Sequence, residues 1–162
     1  DLNKKNTDQL TLSINKINIH SKISESFSET HSTMFIKNQS SSSVELKVAF
    51  LQEKLSVLHS FEAKIGDKIV KSKILSKDQA EEKYSDSISQ GNTAIMANLI
   101  EESKEYLVNL GNLKSQEELE LRFIFLKLNQ SEDKSYKFVQ SLTSLPVFNG
   151  KASRPLEITF TA

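Results

Sequence analysis

Apolar and polar residues alternate with a period of two along most of this chain, the pattern of strands buried on one face. "QLTLSINKINIH" sets Leu10, Leu12 and Ile14 on one face and then changes phase to Ile17 and Ile19. Either a β-bulge near Asn15-Lys16 or a break between two short strands produces that shift. "FSETHSTMFIKN" reads as a more polar second strand ending near Asn38, and "SSSS" at 40–43 as a turn. "VELKVAF" alternates cleanly, with Val44, Leu46, Val48 and Phe50 inward and Glu45 and Lys47 outward. "EYLVNLG" does the same through Tyr106, Val108 and Leu110. "LELRFIFLKL" begins with Leu119, Leu121, Phe123 and Phe125 on one face and then turns apolar on both, as a central strand does. "YKFV" and "LEITFTA" complete the strand-like segments.

The rule changes over residues 60–96. Val57, Phe61, Ala63 and Ile65 belong to a strand, Gly66-Asp67 supplies a tight turn with positive φ, and a return strand runs from Ile69 to Leu75. Ser76 and Gln79 have the spacing of a capping box, and Asp78 stands where the helix dipole favours an anion. Ala80, Tyr84 and Ile88 then recur every fourth residue, a stripe able to dock on a sheet, before Gly91 ends the helix and a further strand follows. The expected architecture is mainly β: an antiparallel β-sandwich of roughly eight or more strands with one inserted α-helix over about residues 77–89. Residues 1–8 read as an N-terminal extension, 9–148 as the sandwich, and 149–162 as a closing strand or the start of a following domain.

Composition narrows function mainly by exclusion. The 162 residues suit one domain, and 21 basic residues balance 21 acidic ones without segregating. That leaves no footprint for nucleic acid. No apolar run approaches the ~20 residues of a spanning helix, so membrane insertion is not expected. Cysteine is absent, which removes disulfides, thiolate metal sites and a cysteine nucleophile. With no apolar signal-peptide core at the N-terminus, an intracellular, cytoplasmic setting is expected. The sequons at Asn38 and Asn129 matter only in a secreted protein.

Candidate chemistry is sparse. His20, His31 and His59 lack ligand spacing, although adjacent strands can bring two of them together; they are expected to be surface or satisfied strand residues. The carboxylate pairs Glu81-Glu82, Glu101-Glu102 and Glu117-Glu118 lie in charged stretches, where neighbouring side chains point apart. No serine elbow and no glycine-rich phosphate loop exists with only four glycines. No catalytic, cofactor-binding or metal-ligating residue is therefore assigned, no cofactor is expected, and a small-molecule ligand is not expected. One stretch carries more aliphatic residues than a connection needs: Phe50, Leu51, Leu55, Val57 and Leu58 in "FLQEKLSVLH". Phe50 and Val57 are expected in the core; Leu51, Leu55 and Leu58 either cap the open end of the sandwich or contact a neighbour.

The ordered set Phe61, Glu62, Ala63, Ile65, Gly66, Asp67 and Lys68, then Ala80 and Tyr84, Gly91 and Ala94, and finally Gly111, Asn112 and Leu113, resembles the VIT domain of vault proteins and inter-α-trypsin inhibitor heavy chains. Asn38 falls where that family often has asparagine. The likeness runs over about residues 10 to 140. It departs at Leu51, where the family usually has proline, and at Lys114-Ser115-Gln116, where the family carries Pro-Gly. The resemblance implies a β-sandwich with an inserted helix, usually followed by a von Willebrand type A domain. The metal motif of that neighbour, Asp-x-Ser-x-Ser, is missing: "DSISQ" at 86–90 has Ile88 at the first ligating serine. The function implied is a non-catalytic interaction or scaffolding module that packs on a neighbouring domain or another protein. The alternatives are an accessory domain of a vault-associated ADP-ribosyltransferase-like enzyme or of an extracellular matrix-binding heavy-chain-like protein.

Overall fold

The computed structural model describes residues 12–71, 77–92, 94–100, 102–141 and 157–161. The strands are β1 (Leu12–Ile23), β2 (Phe27–Asn38), β3 (Val44–Leu51), β4 (Ser56–Ile65), β5 (Lys68–Lys71), β6 (Ala94–Ile100), β7 (Glu105–Leu113), β8 (Glu118–Leu128), β9 (Gln130–Glu132), β10 (Ser135–Lys137) and β11 (Glu157–Thr161). The helix, α1, spans Lys77–Ser89, where the sequence placed it. A six-stranded sheet ordered β11-β1-β2-β8-β4-β5 packs on a three-stranded sheet ordered β3-β7-β6, and β9 and β10 form a separate hairpin. The sandwich is antiparallel with one exception: β11 adds to β1 in parallel, which the expected antiparallel architecture did not include.

Burial of one face of each sheet sets the core. Ile17, Ile19, Met34 and Ile36 meet Leu46, Val48 and Phe50 from the opposite sheet, together with Val108, Leu110, Leu119, Leu121 and Phe123. Phe50 anchors an aromatic group, stacked on Tyr106 at 5.3 Å and edge-on to Phe123 and Phe125 at 5.1 and 5.6 Å. Such geometries favour aromatic pairs beyond the area they bury. β8 lies between β2 and β4, as its two-sided apolar pattern implied.

The phase shift in β1 is a bulge and not a break, because the register with β2 slips between Ile14 and Lys16 within one strand. Before the bulge Ser13 is the buried residue, and Leu12 and Ile14 pack partly against the core. β4 contains a second irregularity between Leu58 and Ser60. It turns Leu58 inward opposite Phe125 and leaves Val57 half exposed, which reverses the expected placement of both.

The β4–β5 hairpin closes through Gly66 and Asp67, with Gly66 at φ 56° as expected of that turn. Leu75, the Ser76–Gln79 cap and the side chain of Ala80 lie outside the described residues, as do residues 1–8.

Candidate interaction surface

The candidates for chemistry disperse when the chain folds. His20 and His31 are direct cross-strand partners, but each is engaged: His20 Nδ1 pairs with Thr161 Oγ1 at 2.8 Å, and His31 Nε2 with Glu29 Oε1 at 2.5 Å. The hydrogen bond from His31 holds the Glu29 carboxyl below its usual range, assisted by the charges of His31, Lys22 and His59. His59 is exposed at the β4 irregularity. Glu118 pairs with Lys37, and Glu117 accepts the backbone N–H of Lys114 within the β7–β8 turn. Glu81 and Glu82 are exposed on α1, and Glu101 lies outside the described residues. Asp86 is exposed on α1, while Ile88 points onto the sheet. Among the described residues no group of three or more His, Asp or Glu is placed to hold a metal ion.

The residues that make the sequence recognisable converge instead at one end of the sandwich. Asn38, fully buried at the end of β2, donates through Nδ2 to the carbonyls of Ser42, Leu113 and Lys114 at 2.8, 3.0 and 2.9 Å. Its Oδ1 accepts from the backbone N–H and the hydroxyl of Ser40. One side chain thus serves the β2–β3 turn and the end of β7, filling its own capacity as a buried amide must. The same burial removes Asn38 as a glycosylation acceptor in the folded chain.

Gly111 and Asn112 perform two further tasks there. A Cβ on Gly111 would stand 2.0 Å from Ile88 Cδ1 and 3.0 Å from the Tyr84 hydroxyl, so the helix sits where a side chain would be. Asn112, at φ 59°, donates to the carbonyls of Ile88 and Asn92 and so binds the C-terminus of α1 to β7. The helix itself ends in a Schellman motif: the N–H of Asn92 reaches Ser87 O and that of Gly91 reaches Ile88 O, with Gly91 at φ 73°. These contacts account for Gly-Asn-Leu at this position. Glycine admits the helix, asparagine tolerates the left-handed conformation and caps, and leucine fills the core.

The opposite end is built otherwise. There β1 ends, β2 starts, β3 ends, and β4 starts beside the end of β8. Large aliphatic and aromatic side chains lie half exposed: Phe27, Leu51, Leu55, Val57 and Leu128. Leu51 and Leu55 are 47% and 50% exposed, so they do not serve as caps buried over the core. Leu55 also has φ 62°, a conformation that penalises a branched aliphatic residue. Its turn is nonetheless held: Gln52 N–H donates to Lys104 O, Leu128 N–H to Leu55 O, and Ser56 N–H to Glu53 O. Glu53 forms an ion pair with Lys127 and accepts the N–H of Ser141, while Lys127 also donates to Val139 O. Between Thr30, Tyr106, Phe125 and Lys127 is a cavity of about 20 Å³, room for one water molecule. Sequence reasoning singled out Leu51 and Leu55 but not Phe27, Leu128 or the Glu53–Lys127 pair, since only the β2–β8 and β4–β8 registers bring them to this end.

By class this is a mainly β sandwich with one inserted helix, whose Asn38, Gly111 and Asn112 hold its own elements together. Residues 14–125 match the model of the Vault protein inter-alpha-trypsin domain, and the chain belongs to that family, VIT. It is 29% identical over 111 residues to a von Willebrand factor A domain-containing protein of Dictyostelium discoideum. That match covers 68% of this chain but only 12% of the relative. A crystal structure of a Legionella pneumophila protein, named as a nutrient binding protein, aligns over 75% of this chain and 41% of its own at 10% identity and a TM-score of 0.41.

Proposed function

We propose that this VIT domain is a non-catalytic interaction module that packs against a von Willebrand type A domain of the same, longer chain through its open end. The observation that carries this reading is the half-exposed apolar group around Leu51, Leu55 and Val57, held on a hydrogen-bonded and strained turn. A leucine in the left-handed region strains the backbone, and left in water it gains little burial in return. A buried contact with a neighbour supplies that burial. The relative from Dictyostelium supports the choice of neighbour, because its name places a von Willebrand A domain in the same polypeptide as a segment like this one. The protein's catalytic activity, if it has any, then resides in other domains.

The test compares the isolated domain with the longer protein by hydrogen exchange. Residues 51–58 should be protected more strongly in the longer protein, and replacing Leu51 and Leu55 with serine should abolish the difference. The isolated double variant should shift in stability by less than about 1 kcal/mol, as exposed substitutions do. Equal protection of 51–58 in both proteins overturns this docking face.

A further inference from the structure

Among the described residues the two sheets have four outer strands, and three of these carry features that discourage pairing with another chain. β5 is four residues long with lysine at both ends. β3 presents Glu45 and Lys47. β11 is five residues long and opens with Glu157. Brevity and charge are the usual means by which natural sheets blunt an edge. β6 has neither. Its seven residues, AIMANLI, include no charged side chain and no proline. Among the described residues no strand pairs with the side of β6 turned away from β7. Ile95, Ala97 and Leu99 pack against the core yet remain only partly buried, because the sheet stops at this strand.

We infer that β6 is a self-association edge, pairing antiparallel with β6 of a second copy of this chain about a two-fold axis at Ala97. Any extended backbone satisfies the open hydrogen-bonding groups of an edge, so side chains decide the occupant. In the register centred on Ala97, Ile95 of one copy faces Leu99 of the other on the core side, and Met96 faces Asn98 on the outer side. Ala97 meets itself, at the one position where bulk or charge would oppose its own image. No like charges are brought opposite one another. The strands β3 and β5 of a second copy fit less well, since they would set Glu45 and Lys47, or two lysines, against an uncharged row. The pairing is isologous and closes at two copies, joining two three-stranded sheets into one. A contact between two seven-residue strands falls below the standard interface size, so the dimer is weak, with a dissociation constant on the order of 100 µM. This inference uses a different surface from the proposed docking end and stands apart from it.

Sedimentation velocity from micromolar to millimolar concentration tests it with two double variants. Met96→Lys with Asn98→Glu sets lysine opposite glutamate twice in the dimer; Met96→Lys with Asn98→Lys sets lysine opposite lysine twice. Both burden the monomer at the same two partly buried positions, so circular dichroism and melting should differ little between them. The expected result is concentration-dependent dimerisation of the unmodified chain and of the Lys/Glu variant, with a dissociation constant at least about tenfold higher for Lys/Lys. Hydrogen exchange of the unmodified chain gives a second readout that needs no variant: amides of Ile95–Leu99 should gain protection at high concentration. A chain that stays monomeric to millimolar concentration overturns the inference. So do equal constants for the two variants, or β6 amides indifferent to concentration.

Discussion

The two ends of the sandwich handle backbone connections in opposite ways. At the Asn38 end polar side chains tie the β2–β3 and β7–β8 turns and the end of α1: Asn38 to three carbonyls, Asn112 to two, Ser115 to Ser40 O, and Gln39 to Ser13. At the Leu55 end the turn is tied mainly through its backbone and the Glu53–Lys127 pair, while its aliphatic side chains face outward. The residues by which the family is recognised crowd the first end. The half-exposed aliphatic residues Leu51, Leu55 and Val57 crowd the second. Polar residues that tie the turns and aliphatic residues left half exposed are therefore spatially separated, with about the length of a strand between them.

The largest test of that contrast is Asn38→Ala. It removes a donor from the buried carbonyl of Leu113 and from that of Lys114, and leaves Ser42 O only the Ser40 hydroxyl. A cost of about 3–5 kcal/mol is expected from the denaturant midpoint, at unchanged slope. Asn38→Asp should be at least as damaging, since a carboxylate donates nothing to the carbonyls it would face. If Asn38→Ala costs under about 1 kcal/mol, comparable to serine at Leu51 and Leu55, the two ends do not differ as described.

Gly111→Ala comes next, with an expected loss of about 1–3 kcal/mol from overpacking. The added methyl runs into Ile88 Cδ1, the flexible tip of a side chain, so the helix has to shift or Ile88 change rotamer. Combining it with Ile88→Ala should restore part of the loss, because the second change removes the obstructing group. Additive losses in that double-mutant cycle would show that α1 does not rest on Gly111.

Much of the fold was legible because period-two alternation survives wherever one face is buried. The strands of Val44–Leu51 and Glu118–Leu128, the turn at Gly66-Asp67 and the helix stop at Gly91 were all readable from spacing or from glycine. What escaped reading lacks such a marker. The irregularity at Leu58–Ser60 moves the core phase of β4 by one residue, and nothing about His59 announces it. The inward face of β2 begins with Ser28, Thr30 and Ser32, small hydroxyl residues that score as polar yet are buried. Thr30 pairs with Ser21, while the Ser28 and Ser32 hydroxyls find no partner among the described residues. The β7–β8 turn shows how a departure from the family pattern is absorbed: Gln116 adopts φ 61° where the resemblance sets Pro-Gly, and its amide reaches Gln39 O. Candidate function was less legible still, because the candidate surface is defined by residues that four separate strands deliver to one place.

The smallest expected effect discriminates most sharply between the ends. Leu55 has φ 62° with its side chain half in water, whereas Asn112, at nearly the same φ, uses its side chain to cap α1. Asparagine and glycine tolerate that conformation; leucine does not. Leu55→Asn should therefore raise the stability of the isolated domain, by roughly 0.5–1 kcal/mol, as changes that relieve a strained position commonly do. Its backbone bond to Leu128 is kept, since only the carbonyl of residue 55 takes part. The reciprocal change, Asn112→Leu, should destabilise by about 2 kcal/mol, through the lost cap and the same strain. Opposite signs for one exchange at matched backbone angles would mean that leucine at 55 is retained against the stability of the domain alone. If Leu55→Asn instead destabilises by 1 kcal/mol or more, on the scale that measured substitutions set, then Leu55 packs usefully within the domain, and the open end is a cap after all.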